Sequence, residues 1–322
     1  MLTCRKAGSL LVPAAALFSL FLLSTSWAGE FAEPSPLAIH SLLLDGAQYQ
    51  RRMIAVGERG HVLYSDDQGH NWAQARVPTR TLLTGVFMLD ETHAWAVGHD
   101  ATILQSSDGG RQWQLRYRAP DKESPLLDVW FKDQNRGFAI GAYGLFLETS
   151  DGGTTWQQRW ISETDDFHLN QISSAPDGTL YIAAESGVVY RSDDGGNNWV
   201  SLTTPYQGSF FGSLPLTSGQ LFVFGLRGHL FRSDNGGDSW TGLATGTTAM
   251  LTSALRSSDP QTGGERCLFA GLSGVLLVDQ GCNGEALQLI QRPDRSGISA
   301  LLSSDNDELV LIGEAGITRF KP

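Results

Sequence analysis

A chain of 322 residues with 34 acidic and 23 basic side chains carries a net charge of −11. That surplus of carboxylates excludes broad nucleic-acid binding, because neutralising phosphates takes clustered lysine and arginine. The length suffices for one large domain or two ordinary ones.

The first 28 residues read as an export signal. Arg5 and Lys6 form a basic start, and residues 10–23 make an apolar run of 14 residues, short for a membrane span. Ser26-Trp-Ala28 then offers small residues at the two positions a signal peptidase reads. The alternative is an uncleaved anchor. No later stretch approaches the roughly 20 apolar residues a spanning helix needs. The mature protein is therefore expected to be soluble, not itself membrane-spanning, and periplasmic or otherwise exported. Cleavage removes two basic and no acidic residues, which takes the net charge to −13. Cys4 leaves with the signal and precedes the apolar run, so it is not a lipid-bearing cysteine. Cys267 and Cys282 remain, an even pair in an oxidising compartment and a predicted disulfide. With no Cys-x-x-Cys and no His-Glu-x-x-His, no metal site is expected, and no cofactor.

From residue 29 onward two markers recur in phase. Ser65-Asp-Asp-Gln-Gly-His-Asn-Trp72 returns as Ser106-Ser-Asp-Gly-Gly-Arg-Gln-Trp113, Thr149-Ser-Asp-Gly-Gly-Thr-Thr-Trp156, Ser192-Asp-Asp-Gly-Gly-Asn-Asn-Trp199 and Ser233-Asp-Asn-Gly-Gly-Asp-Ser-Trp240. The tryptophans stand 41, 43, 43 and 41 residues apart. Gly-x-x-Gly turns begin at Gly57, Gly141, Gly225, Gly271 and Gly313, with weaker versions at Gly98 and Ala184. Their steps are 41, 43, 43, 41, 46 and 42 residues, so there are seven units although only five carry the box. The 294 residues beyond position 28 are seven times 42. A regular period in this range means an array of one repeated unit.

Within a unit the pattern is short strands. Residues 82–89, 94–98 and 103–106 are apolar runs, and residues 113–117 alternate with period two. Asp90-Glu-Thr92, Gly98-His-Asp100 and Asp108-Gly-Gly110 separate them. Four strands repeated seven times around a centre predict an all-β fold, a seven-bladed β-propeller over residues 29–322 as a single domain. Each box falls between the third and fourth strands. Its aspartate (Asp67, Asp108, Asp151, Asp194) is expected to accept backbone N–H groups, and its glycines to take left-handed conformations. Its tryptophan opens the fourth strand and is expected to be buried where units meet. The fifth box has Asn235 for aspartate, a departure expected to weaken that turn. In unit six the box has become Asp279-Gln-Gly-Cys-Asn-Gly-Glu-Ala286, and the disulfide is expected to substitute for the lost turn chemistry. The last unit ends after a third strand at residues 317–320. Residues 30–36 are expected to supply its missing outer strand and so close the ring.

Ser-x-Asp-x-Gly-x-x-Trp resembles the Asp-box, or bacterial neuraminidase repeat, found in sialidases, sortilin-type receptors and many non-enzymatic propellers. Over residues 30–322 the chain also resembles the photosystem II stability and assembly factor propellers of chloroplasts and cyanobacteria, which have relatives in non-photosynthetic bacteria. The Gly-x-Arg-Gly turns, Asp-Gly-Gly-x-x-Trp, and the tract from Val77-Pro-Thr-Arg80 through Trp95-Ala-Val-Gly-His-Asp100 carry that likeness. It implies a non-enzymatic scaffold that binds a membrane protein complex, or transporter subunits in a non-photosynthetic host, as a monomer. It also implies an arginine patch, which transfers only to Arg59 and Arg227 in the matching turns.

In a four-stranded blade the second hairpin and the blade-to-blade link leave on the face opposite the boxes. That face gathers Arg59, Arg80, His99, Asp100, Arg118, Lys122, Arg227, Arg292 and Arg295, against Glu163, Asp165, Asp166 and Glu185 in units three and four. Arg59, Arg80, His99, Asp100 and Arg227 are the candidate partner-binding residues, with Asp100 able to orient the His99 imidazole. A solvated loop face is the plain alternative. His61 and His229 share one repeat position and are expected to pack or hydrogen-bond rather than bind metal. No catalytic residue is assigned, because the Phe/Tyr-Arg-Ile-Pro motif of sialidases is absent. Glu58, Glu185 and Glu314 at the glycine turns, with Tyr117, Tyr143 and Tyr206, leave a sialidase-type glycoside hydrolase as an alternative. A carbohydrate- or lipid-binding accessory module is another.

Overall fold

The computed structural model describes residue 1 and residues 31–162, 164–216, 219–258 and 263–322. Apart from Met1, the expected export signal lies outside the described residues. The strands form seven antiparallel sheets, six of four strands and one of three, and each strand pairs only with its neighbours in sequence. Blades one to seven span residues 43–74, 83–117, 126–159, 169–202, 210–243, 251–291 and 298–320. Consecutive blades touch through their inner strands, and blade seven touches blade one. The seven-bladed propeller expected from the repeat is the fold observed.

The second strand of each blade is a buried run beyond its first residue, and is buried throughout in Ala94–Gly98, Gly137–Gly141, Leu180–Ala184 and Leu221–Gly225. Such a strand has no solvated face because a neighbouring blade covers each side. The outer strand Gln114–Tyr117 instead alternates between exposed and half-buried positions. Apolar side chains consequently gather in seven clusters, one in each seam between adjacent blades.

The box tryptophans belong to these seams. Trp113 packs with Ile54 and Val56 of blade one, Trp156 with Trp95 and Val97 of blade two, and Trp199 with Phe138 and Ile140 of blade three. Trp72 and Trp240 do the same at the seams with blades seven and four. In the seam between blades two and three Trp95 stacks on Phe131 at 3.6 Å, and Trp156 meets Phe131 edge-on at 5.9 Å.

Each box is held by one set of bonds. Gly69 N donates to Ser65 Oγ at 2.9 Å, Ser65 Oγ donates to Asp67 Oδ1 at 2.9 Å, and Asn71 N donates to the same oxygen at 2.9 Å. The pattern repeats at Ser106 and Asp108, Thr149 and Asp151, and Ser192 and Asp194. The expected weakening at Asn235 is not observed. Its Oδ1 takes the same bonds from Ser233 Oγ and Ser239 N, both at 2.9 Å, because the turn needs an acceptor there and not a charge.

Blade six solves the problem differently. Asp279 stands where the other boxes have serine or threonine, and its Oδ2 accepts from Gly284 N at 2.8 Å. Cys267 and Cys282 are joined, as expected, and both are buried in the seam with blade five beside Phe222 and Phe224. The bridge occupies a seam that has no box tryptophan.

Ring closure differs from the expectation. Among the described residues no fourth strand pairs with Gly316–Phe320. Residues 31–36 run across blade one instead. Ala32 N donates to Val77 O, Ser35 N to Gln74 Oε1, and Phe31 lies under the Arg76 guanidinium at 4.5 Å. Pro34 and Pro36 lack the N–H groups a strand would contribute, which favours a strap over a ladder. The seam between blades seven and one is closed by side chains. Gln48 Nε2 donates to Ser303 O at 2.9 Å and Gln48 Oε1 accepts from Ser303 N at 3.0 Å, over a core that includes Leu43, Met53, Val310 and Ile312.

Replacing both Cys267 and Cys282 by serine is expected to lower the unfolding free energy by about 3 kcal/mol, the loop-closure value for a crosslink across about 15 residues. Deleting residues 31–36 is expected to have the smaller effect, since apart from Ala32 most of their bonds involve exposed side chains. Urea unfolding of the two variants checks the ranking, and a larger loss from the deletion contradicts it.

Candidate functional site

The glycine turns and the interblade links share one face, because they touch. Gly144 N donates to Phe167 O, Gly187 N to Gly208 O, and Arg292 N to Gly274 O. The boxes sit on the other face against the first hairpins, where Gly109 N meets Thr92 O and Gly152 N meets Asn135 O.

The turn geometry explains both glycines and the residue between them. In the first turn His61 N donates to Glu58 O at 2.9 Å, with Arg59 at φ 56° and Gly60 at φ 70°. Two successive left-handed residues in a hairpin are the hallmark of a type I′ turn. A Cβ at Gly60 would collide with Thr79 O, one at Gly187 with Tyr206 O, and one at Gly228 with Thr247 O. The second glycine is thus fixed by the passing link. In blade two Ala101 holds that place at φ 48°, and there the link follows its own path, through the single turn Pro120–Lys122 with Ala119 N bonded to Asp100 O.

The preceding position is left-handed in six blades, yet it holds Arg59, Asp100, Tyr143, Ser186, Arg227 and Ser273 at φ 55–60°. Each non-glycine residue there costs roughly 1–2 kcal/mol relative to glycine. The turn tips therefore display side chains at positions where backbone physics alone would select glycine or asparagine.

The structure separates the five partner-binding candidates. Arg59 and Arg227 are exposed and make no ion pair or hydrogen bond among the described residues. They stand in blades one and five, across the central channel from each other. Arg227 borders a 600 Å³ pocket with His229, Thr247 and Thr248. His229 is exposed and its ring lies 4.2 Å from that of Tyr206, whose hydroxyl donates to Leu226 O. His61, at the same repeat position, is 5 % exposed and bonded to Ser41 Oγ, and burial lowers its pKa. Arg80 is engaged by the N-terminal strap, pairing with Glu33 at 2.7 Å and donating to Phe31 O. His99 is exposed, but Asp100 does not orient it. The Asp100 carboxylate pairs with Arg118, whose longer side chain comes to it from the link. Arg292 pairs with Asp294.

The glutamates that share the first turn position have one common use. Glu58 Oε1 accepts from Leu42 N, Glu185 Oε2 from His168 N, and Glu314 Oε2 from Gly297 N. Each ties the turn to the backbone just ahead of its own blade's inner strand. No group of three or more potential metal ligands occurs among the described residues.

Sequence reasoning missed the channel. Inner strands line a 380 Å³ cavity that holds Asp45 and Asp128. Asp45 Oδ2 accepts from Val86 N at 2.8 Å and Asp128 Oδ2 from Ile172 N at 2.9 Å, so each carboxylate stitches its blade to the next. Burial pushes Asp45 up to about 7 and Asp128 well above its ordinary value, the latter also through the Asp45 charge. The tripeptide Leu-Leu-Asp, at residues 43–45 and again at 126–128, was the available signal.

The family model of the photosynthesis system II assembly factor YCF48 matches residues 64–125 and 119–264, well over half of the chain. The chain belongs to the YCF48 family. The photosystem II assembly protein Ycf48 of Synechococcus sp. (strain JA-2-3B'a(2-13)) is 45 % identical over 47 residues, and that of strain JA-3-3Ab is 43 % identical over 47. Each alignment spans only 14 % of this chain and 14 % of the relative. Two solved YCF48 structures share the fold. One, bound to a D1 peptide, has a TM-score of 0.68 at 18 % identity, covering 88 % of this chain and 92 % of that one. The other, from Cyanidioschyzon merolae, has a TM-score of 0.66 at 16 % identity, covering 91 % and 98 %.

The channel of this YCF48-family chain gives a pH test. Asp45 titrates near 7 when folded against 3.8 ordinarily, so its contribution is complete below about pH 4 and lost as pH rises through 7. Asp67, lowered to about 2 by its bonds to Asn71, works oppositely and stabilises above about pH 4. Asp45→Asn is expected to make the decline between pH 4 and 8 shallower, Asp128 keeping its own share of it, and to be more stable than the parent at pH 8. Melting temperatures across that range check it, and an unchanged decline refutes it.

Proposed function

We propose that this chain is an exported, non-enzymatic propeller that binds a protein partner and helps to assemble or stabilise a membrane-embedded complex. Where the host makes photosystem II, that is the complex; elsewhere it is a transporter or another inner-membrane machine. The observation that carries the reading is the pair Arg59 and Arg227, exposed at left-handed turn tips on one face and without ion pair or hydrogen bond among the described residues. An exposed guanidinium without an internal partner suits a carboxylate, which it grips through two parallel hydrogen bonds. A YCF48 structure is bound to a D1 peptide, which supports a peptide segment as the kind of partner.

Export is supported by the joined cysteines and by the charge pattern of the first 28 residues. Among the described residues no helix is long and apolar enough to cross a membrane. The hydrolase reading has little left to stand on, since Glu58, Glu185 and Glu314 each spend an oxygen on backbone N–H groups. The protein is read as a monomer without cofactor.

The test is co-purification from detergent-solubilised membranes after crosslinking in intact cells. Arg59→Glu combined with Arg227→Glu is expected to reduce recovery of the partner at least tenfold while circular dichroism stays unchanged. Undiminished recovery with an intact fold would sink the proposal.

A further inference from the structure

The turn face has a second feature, of opposite sign. Trp160 follows the outer strand Gln157–Arg159 of blade three and is 64 % exposed, the one exposed tryptophan among the described residues. It walls a 580 Å³ pocket with Arg159, Ser162, Thr164, Asp165 and Asp166. An indole left mostly in water beside a concavity offers an open ring face to an incoming group, unlike the box tryptophans in the seams.

The pocket is acidic, and Arg159 is the one cation in its lining among the described residues. Arg159 is turned away, with Nη1 on Glu148 Oε2 at 2.6 Å and Nη2 on Asn197 O at 2.8 Å. Asp165 is fixed by neutral donors: Ser162 Oγ at 2.9 Å, Tyr190 hydroxyl at 3.1 Å and Thr164 Oγ1 at 3.2 Å. Asp166 is exposed and makes no hydrogen bond or ion pair among the described residues. Tyr143 stands alongside, 57 % exposed at a left-handed turn tip (φ 55°), with its neighbour Gly144 bonded to Phe167 O. A tyrosine at that backbone position is as hard to explain by turn physics as the arginines of blades one and five.

We propose that this pocket receives an arginine side chain from an extended basic segment of a partner protein. The guanidinium plane stacks on the Trp160 indole while its N–H groups reach the Asp165 and Asp166 carboxylates. Charge complementarity selects this occupant. Two carboxylates without a counter-cation repel an acidic segment and gain nothing from a neutral one. The site lies apart from Arg59 and Arg227, goes beyond the assembly reading, and stands without it.

The full chain labelled with 5-fluorotryptophan provides a local probe, its Trp160 resonance assigned by loss in Trp160→Phe. Titration with acetyl-Gly-Arg-Arg-Gly-amide at low salt is expected to shift that resonance saturably. The glutamine counterpart, acetyl-Gly-Gln-Gln-Gly-amide, is expected to leave it in place. Asp165→Asn with Asp166→Asn is expected to weaken binding at least tenfold, whereas Arg59→Glu with Arg227→Glu is expected to leave it undiminished, which separates this proposal from the preceding one. No saturable shift, an equal shift with the glutamine peptide, or full binding by the doubly amidated variant overturns the proposal. A shift produced by a trisaccharide and not by the arginine peptide also overturns it and makes Trp160 a sugar platform.

Discussion

Every blade of this protein is apolar on both faces of its sheet, and that single constraint governs the rest. A sheet with one buried face can stand at a surface, but strands such as Ala94–Gly98 and Leu221–Gly225 have no face to give to water. Each blade therefore needs a neighbour on both sides, and only a closed ring provides that for all seven. The seven separate clusters are the consequence. The repeated box serves the same end. Its serine, aspartate and glycines build a turn that aims a tryptophan back into the preceding seam, where ring area is buried at roughly 25 cal/mol per Å². In the seam before blade six, where that tryptophan is missing, a disulfide lies among Phe222, Phe224 and Phe269. Aromatic area and a covalent tie are different answers to one packing demand.

Packing so uniform leaves little freedom on the blade faces, so variation is confined to the two rims. On the box rim the hydrogen bonds repeat with little change, even where asparagine replaces aspartate. On the other rim the second turn glycine is held by the passing link, while the residue before it ranges from arginine to tyrosine to serine. A position with fixed backbone and free side chain is where a propeller can acquire recognition without disturbing its seams. The first turn position shows the contrast. Its glutamates recur, but each is bound to the backbone of its own blade, so recurrence there marks construction and not recognition.

Much of this was legible in the sequence because the period is strict and the box chemistry is local. Spacing alone counts seven units, and a four-residue turn can be recognised without knowing what surrounds it. The failures concern contacts that spacing does not encode. Residues 30–36 were expected on blade seven because its fourth strand was missing, yet the partners of residues 31–36 are Gln74 at the end of blade one and Arg76 and Val77 in the link after it, and the two prolines disfavour a ladder. Asp100 follows His99 directly, but adjacency in a left-handed turn points the two side chains apart, and Arg118 from the link reaches the carboxylate first. Arg80 was grouped with Arg59 because both were expected on the turn face, but it stands in the link and is engaged by Glu33 and Phe31 O of the strap. Asp45 and Asp128 were hidden because an acidic residue in an apolar run reads as an exception, whereas at a channel wall it is a bond between blades. Trp160 escaped notice among the box tryptophans, since nothing in composition distinguishes a buried indole from an exposed one.

The turn face carries charge in opposed sectors, with Arg59 and Arg227 in blades one and five free of ion pairs among the described residues, and Asp165 and Asp166 beside Trp160 after blade three without a cation paired to them there. Simple attraction would be served as well by one sign spread around the rim, and in a molecule of net charge −11 a purely basic patch would be the stronger lure for an acidic partner. Opposed sectors gain something else, which is orientation. On the two proposals above, a partner segment with acidic and basic groups at the matching separation would meet attraction in one direction and repulsion in the reverse, so the arrangement would discriminate polarity as well as composition. At physiological salt the Debye length is about 8 Å, shorter than the breadth of such a rim, so each sector acts on the group directly above it and does not blur into the field of the others. Short-range sectors on a rigid ring constitute a ruler. The seams that keep the blades from moving relative to one another are what would make such a ruler hold its spacing.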